Sequence, residues 1–162
     1  MNKKGILVVV SGFAGSGKGT VMKELLNRYD NYSLSVSATT RPPRPGETNG
    51  KEYFFNSHGE FEEMINNGEF IEHAKYVNNY YGTPKKYVRE QLSLGNDVIL
   101  EIEIQGALQI KSKYPDTLLL FLTPPSVDTL ITRLVDRGTE DIATVRARLR
   151  RACEEVEFVD KY

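Results

Sequence analysis

The chain has 162 residues, 40% of them apolar and 27% charged, enough for one sizeable core with small appendages. With 21 Lys and Arg against 22 Asp and Glu, the formal net charge is −1, so no overall field draws the molecule to nucleic acid or to a membrane surface, and any positive site must be local. One cysteine, Cys153, excludes an internal disulfide, and two histidines without nearby cysteine make no structural metal site, which fits a reducing cytoplasm.

Lys3 and Lys4 followed by an apolar stretch imitate the start of a signal peptide, but the stretch is short and runs straight into a glycine-rich turn, so the reading is against export. No run approaches the roughly 18 apolar residues needed to cross a bilayer. Residues 5–11 are instead a first strand, of the Ile, Leu and Val type that parallel sheets bury on both faces.

Ser11-Gly-Phe-Ala-Gly15-Ser-Gly17-Lys-Gly-Thr20 follows directly, and a helical pattern of Val21, Met22, Leu25, Leu26 and Tyr29 follows that. Glycines let successive backbone N–H groups curl around a phosphate, the next helix offers its positive end, and Lys18 adds a full charge. A nucleoside triphosphate site is the expectation; a flexible glycine linker would lack both flanks. The usual pattern places Ser or Thr straight after the lysine, whereas here Gly19 intervenes before Thr20. This Gly-Lys-Gly-Thr ending resembles that of nucleoside monophosphate kinases, which implies a small phosphate acceptor.

Between residues 33 and 87 the pattern changes to short polar and aromatic pieces, with turns at Pro42-Pro43, Pro45-Gly46 and Asn49-Gly50, predicting an inserted β-rich lobe. Within it, Ser57 and Glu60 have capping-box spacing ahead of a short helix with Phe61, Met64 and Ile65 on its apolar face. Arg41 and Arg44 are flanked by prolines that reduce the cost of ordering them, and guanidinium forks match phosphate oxygens two at a time. A solvated polar hairpin, or a proline-rich ligand for an aromatic groove, explains the same stretch equally well.

Thr83 and Pro84 read as the start of a helix that carries Tyr87, Val88, Gln91 and Leu92 and stops at Gly95. Further buried strands are predicted at 97–104 and 117–122. Glu101 and Glu103, two apart at the end of the first of these, should share a face. Ser126 is the cap of a helix with Leu130, Ile131, Leu134 and Val135 that stops at Gly138. A last helix follows Thr139, with Ile142, Val145, Leu149, Ala152 and Val156 on one stripe. Strands alternating with helices predict an α/β core with ligands at the carboxyl ends of its strands.

The phosphate loop, the segment Ser35 to Tyr53, Glu69-Phe-Ile-Glu72, Asn79-Tyr-Tyr81-Gly-Thr83, Glu101-Ile-Glu103-Ile-Gln-Gly106 and Arg133-Leu-Val-Asp-Arg137-Gly-Thr-Glu140, with Arg148 beyond, occur in this order. Together they closely resemble guanylate kinase. The resemblance implies a P-loop α/β fold, a parallel sheet flanked by helices, carrying a β-rich GMP-binding lobe and a helical lid. Its implied divisions are a core of 1–32 and 88–127, a lobe of 33–87, a lid of 128–158 and a return to the core at 159–162. It implies reversible phosphoryl transfer from MgATP to GMP, and to dGMP, in purine nucleotide metabolism, with no nucleic-acid or membrane partner.

By the same resemblance Gly12, Phe13, Ala14, Gly15, Ser16, Gly17, Lys18, Gly19 and Thr20, with Arg133 and Arg137, hold ATP. Arg41, Arg44, Tyr53 and Tyr81 hold the GMP phosphate, Ser37, Glu72 and Thr83 read guanine, and Glu103 helps position GMP. Thr20 and Glu101 serve Mg²⁺, partly through water, and Lys18, Arg41, Arg137 and Arg148 are the catalytic set. Plain readings stand beside these: Glu72 as a surface carboxylate, Glu101 and Glu103 as a solvated strand end, and the arginines as a salt-bridged surface. Phe13 and Ala14 depart from the Pro and Ser common in the family, a change that backbone binding tolerates. The segment Glu157 to Tyr162 stops where the family continues into another strand and a closing helix, so truncation is expected. An inactive protein-binding module of this family, or a kinase for another nucleoside monophosphate, are the alternative functions.

Overall fold

A computed structural model describes residues 4–76, 78–136 and 142–162. In chain order the elements are β1 (Leu7–Gly12), α1 (Lys18–Arg28), β2 (Tyr32–Leu34), β3 (Ala38–Thr39), β4 (Phe54–Phe55), α2 (His58–Asn66), β5 (Phe70–Tyr76), β6 (Asn79–Pro84), α3 (Lys85–Ser93), β7 (Asp97–Glu101), α4 (Ile104–Lys113), β8 (Leu118–Leu122), α5 (Val127–Asp136) and α6 (Ile142–Val156), followed by a 3₁₀ turn at Val159–Lys161. None of the described helices is long and apolar enough to cross a membrane.

The first sheet has strand order β2-β7-β1-β8, and every pairing in it is parallel. Because side chains alternate across a strand, β1 feeds two cores. Val8 and Val10 pack with Met22 and Ile99 under α1, while Leu7 and Val9 face Val88, Ala107 and Ile110 of α3 and α4. The expected α/β core with consecutive apolar strands is present, with strand ends within a few residues of those predicted.

The second sheet, order β4-β3-β6-β5, forms the lobe, with β6 antiparallel to both β3 and β5. Its own core is Ala38, Phe61 and Phe70, with Phe61 stacked 4.5 Å from Phe70 and 5.5 Å from Tyr80 between ring centroids. The capping box of α2 forms as its spacing predicts: the Glu60 amide donates to Ser57 Oγ and the Ser57 amide donates to Glu60.

Several local expectations differ from the structure. Ser33 and Leu34 pair with Val98 and Ile99 in the first sheet rather than opening the lobe, because Tyr32 and Leu34 pack into the apolar layer under α1. Thr83 does not cap a helix. It stays in β6, paired with Glu72, so Pro84 becomes an extended N-cap and α3 starts at Lys85; Gly95, at φ 87°, ends it as predicted.

Glu103 is not a strand residue either. β1 pairs with β7 only as far as Val10 and Glu101 and continues to Gly12 beside β8 alone, so β7 ends at Glu101 and Glu103 is the N-cap of α4. Ile131, Val135, Ile142 and Val156 are exposed, since the stripes that face inward are Leu130 and Leu134 on α5 and Val145, Ala152 and Glu155 on α6. The predicted stops and starts at Gly138 and Thr139 lie outside the described residues.

Phe61 is fully buried at the centre of the lobe's core, stacked on Phe70 and Tyr80, so Phe61→Ala is expected to cost about 3–5 kcal/mol. Chemical denaturation would measure it; a loss below about 1 kcal/mol would show that the lobe is held by something else.

Candidate functional site

The phosphate loop begins where β1 ends. Gly15 and Gly17 have φ of 86° and 101°, a region that favours glycine, and Gly17 is the N-cap of α1 with no side-chain cap. The first amides of α1 therefore have no capping oxygen and point at the cleft, as an anion site requires. Ser16 Oγ is buried without a protein hydrogen-bond partner. Lys18 Nζ donates to the carbonyls of Gly12 at 2.6 Å and Phe13 at 3.3 Å, holding its charge across the loop.

Helix α5 is tied to this loop. Arg133 Nη1 donates to Ser16 O at 2.9 Å, and Leu134 and Leu130 pack with Phe13. Ser126 Oγ accepts from the Thr129 amide at 3.1 Å, the cap that its position predicts. Of the two arginines predicted to close over the loop from this helix, Arg133 contacts it and Arg137 lies outside the described residues.

One cleft of about 1570 Å³ runs from the phosphate loop to the lobe. Residues Ala14 to Val21, Arg133 and Arg148 line one part, and Ser37, Arg41, Arg44, Tyr53, Glu72 and Tyr81 line the other, with Glu101 and Glu103 between. Gly12, Phe13 and Thr83 are not among its lining residues. The Phe13 side chain is turned into the apolar cluster of α5 and α6, its ring edge-on to Phe121 at 5.0 Å.

The arginine loop is a folded cradle rather than a solvated hairpin. Arg41 Nη2 meets Glu47 Oε1 at 2.9 Å, Arg41 Nη1 donates to Pro42 O at 2.6 Å, and the guanidinium carbon lies 5.3 Å from the Tyr53 ring centroid. Burial works against the charge on Glu47, but the Arg44 amide and the Arg41 guanidinium outweigh it and hold the carboxyl below its usual value. The Tyr53 and Tyr81 rings stand edge to face 6.1 Å apart, and burial raises the Tyr53 phenol above its usual value.

Glu72 is not a surface carboxylate. It is 4% exposed, and its Oε1 accepts from the fully buried Thr83 hydroxyl at 2.6 Å. Burial pushes it up to about 7, with the Thr83 hydrogen bonds and the Lys113 charge pulling the other way. Thr83 therefore stands behind Glu72, at the back of the cleft. Glu101 is also raised by burial, an effect that Lys18 opposes and Glu103 reinforces. This places the Glu101 carboxylate in the field of the loop lysine.

Three further residues contribute to the site's electrostatics beyond those expected from the sequence. Glu155 is 5% exposed on α6 and accepts from Arg151 Nε at 3.2 Å; burial and Glu103 push it up to about 6, against Arg151 and Lys18. A carboxylate on an apolar stripe, four residues from an arginine, was the available signal. Glu47 showed only as a residue three beyond Arg44. Lys113, which donates to Ile71 O at 3.2 Å and biases Glu72, gave no signal.

A parallel sheet with a phosphate loop at the end of its first strand, a cleft lined by arginines and an inserted β lobe define a P-loop nucleotide-binding protein. The family model for guanylate kinase matches residues 4–162, so the chain belongs to the guanylate kinase family. It is 52% identical over 163 residues to a guanylate kinase of Streptococcus thermophilus strain CNRZ 1066, covering all of this chain and 78% of that protein. It is 51% identical over 162 residues to one from Lactococcus lactis subsp. lactis strain IL1403, covering 79% of it. The crystal structure of guanylate kinase from Anaplasma phagocytophilum superposes with a TM-score of 0.80 at 34% identity, over the whole of this chain and 76% of the other.

The Glu72 carboxyl binds its proton more tightly folded than unfolded, so between the ordinary value of 4.5 and about 7 the folded state holds the extra proton and stability falls as pH rises. Glu72→Gln removes that slope. The variant is expected to gain on the order of a few kcal/mol relative to the parent between pH 4.5 and pH 8. Denaturation at both pH values would reveal it; parallel stability profiles would refute the buried carboxylate as its source.

Proposed function

We propose that this chain transfers the terminal phosphoryl group of ATP to GMP, giving ADP and GDP, in a single cleft with the donor at the phosphate loop and the acceptor at the lobe. The observation that carries the reading is the cleft itself, lined at one part by Gly15 to Thr20 and at the other by Arg41, Arg44 and Glu72. On this reading the backbone of the loop and Lys18 hold the donor phosphates, with Arg133 and Arg148 above them. Arg41, Arg44, Tyr53 and Tyr81 hold the phosphate of GMP, and Glu103 borders both.

Guanine presents a ring N–H and an exocyclic amine side by side, and an ionised carboxylate accepts both. Adenine offers no such pair. Glu72 is the acceptor, with Ser37 beside it, and Thr83 fixes one of the Glu72 oxygens from behind. Binding GMP draws Glu72 into its charged form, because only that form has both oxygens available to accept.

The attacking phosphate oxygen is already anionic near neutral pH, so the reaction needs no general base. The difficulty is repulsion between two polyanions, since unit charges about 4 Å apart interact by roughly 4 kcal/mol at an effective dielectric near 20. Lys18 and the arginines offset it, and they hold the two phosphates in line. Thr20 and Glu101 are the oxygen donors suited to Mg²⁺, a cation that keeps most of its ligands from phosphates and water. When bound, Mg²⁺ supplies further neutralisation of the donor phosphates.

Lys18→Ala is expected to lower kcat by about 10²–10³-fold with a smaller change in the KM for GMP, as loss of a charge that acts on the transferred group. Glu72→Ala is expected to leave kcat closer to the parent and to erode the preference for GMP over AMP. A coupled assay of ADP formation from ATP, run with GMP, with AMP and with no acceptor, measures both. ADP formation that does not depend on GMP would overturn the proposal, as would a Lys18→Ala variant of parental kcat.

A further inference from the structure

Gly106 is the third residue of α4, buried against β5. A Cβ placed on it would run into Glu72 Oε2, stand 3.0 Å from Glu72 Cδ and lie 3.2 Å from Ile102 Cδ1. The Glu72 carboxylate therefore rests on bare helix backbone. Its other oxygen is set by the Thr83 hydroxyl at 2.6 Å. A hydrogen bond from β6 fixes one oxygen, and the missing side chain on α4 makes room for the second.

Nothing local calls for glycine at this position. Gly106 is not among the glycines of positive φ, and alanine is the better helix former. We propose that Gly106 is a specificity-determining residue for the acceptor base, leaving α4 bare so that the Glu72 carboxylate can lie where both of its oxygens serve guanine. This rests on the reading of Glu72 as the partner of guanine.

The atoms that must yield to a new Cβ are the far end of a flexible side chain. Gly106→Ala therefore displaces the carboxylate at little cost to the fold. The contact between α4 and the lobe survives through other residues: Gln109 Nε2 donates to His73 O at 2.8 Å, and Lys113 donates to Ile71 O. Base recognition is the property that changes.

The test is steady-state kinetics with GMP, AMP and ATP on the parent, Gly106→Ala, Glu72→Ala and the double variant, with thermal midpoints alongside. Gly106→Ala should raise the KM for GMP about tenfold or more, because a buried charge-assisted pairing is misplaced. The KM for ATP should stay within about twofold and the midpoint near that of the parent. In the Glu72→Ala background the same change should alter the KM for GMP by less than about twofold, since the group it displaces is gone. A parental KM for GMP in Gly106→Ala overturns the inference, and so does an equal effect in both backgrounds. A Gly106→Ala variant that does not fold also overturns the inference, because the glycine then serves packing rather than recognition of the acceptor base. Retained GMP preference in Glu72→Ala defeats the guanine reading itself; lost preference there, with none lost in Gly106→Ala, defeats only the role of Gly106.

Discussion

The parallel pairing of β1 with β7 on one side and β8 on the other is the constraint from which the site follows. Register places Val10 opposite Glu101 and Gly12 opposite Leu122, so the three strands end within two residues of one another on the same side of the sheet. What comes next in each case borders the cleft: the phosphate loop after β1, Ile102, Glu103 and Gly106 after β7, and Thr123 and Pro125 after β8. Parallel strands deliver their carboxyl ends together, and connections of different lengths can then converge there. A slip of one residue in β1 would exchange Val9 and Val10 between the two cores and turn the loop away from Glu101.

Helix α4 extends that constraint to the lobe. It leaves the end of β7, packs Ala107 and Ile110 into the central core beside Val9 and Leu100, and touches β5 through Gln109, Lys113 and Gly106. Ile71 of β5 sits in the same cluster, so the lobe sheet and the parallel sheet share apolar contacts across α4. The residue next to Ile71 on β5 is Glu72; the register of β5 shifts between Phe70 and Glu72, and the Glu72 carboxylate, like Ile71, lies against α4, at Gly106. The position of the buried carboxylate is thus inherited from the main core.

The features legible in the sequence were those that depend on local chemistry. The glycine turn, the capping box at Ser57 and Glu60, and the apolar strands each announce themselves within about ten residues, because backbone conformation and burial on both faces demand particular residue types there. Features set by tertiary contact were misread. Thr83 and Pro84 make a good helix start, yet sheet pairing with Glu72 holds Thr83 in β6. Glu103 continued an apparent strand until β1 turned away. On α6 the expected stripe contained Val156, but Glu155 is the residue turned inward with Val145 and Ala152, and it stays there against a burial cost that Arg151 and the loop lysine only partly offset. Gly106 looked like part of a motif and gave no sign of its neighbour, 34 residues earlier in the chain.

The cations of the cleft are held by groups that a phosphate can replace. Lys18 is on two loop carbonyls, Arg41 is on Glu47 and Pro42, and Arg133 is on Ser16 O. Of these contacts only Arg41–Glu47 is an ion pair; Lys18 and Arg133 hold neutral carbonyls, and a phosphate offers each of these cations an anionic acceptor with several oxygens. Exchange of partners is therefore favourable, and much of the side-chain ordering has already occurred, because Lys18 and Arg41 begin close to the geometry they need. Glu47 and the loop carbonyls also keep like charges apart: Lys18, Arg41, Arg44 and Arg133 share the cleft with carboxylates that include Glu72 and Glu101, both of which burial pushes toward neutrality. The internal partners thus make a strongly cationic cleft compatible with a folded chain of net charge −1.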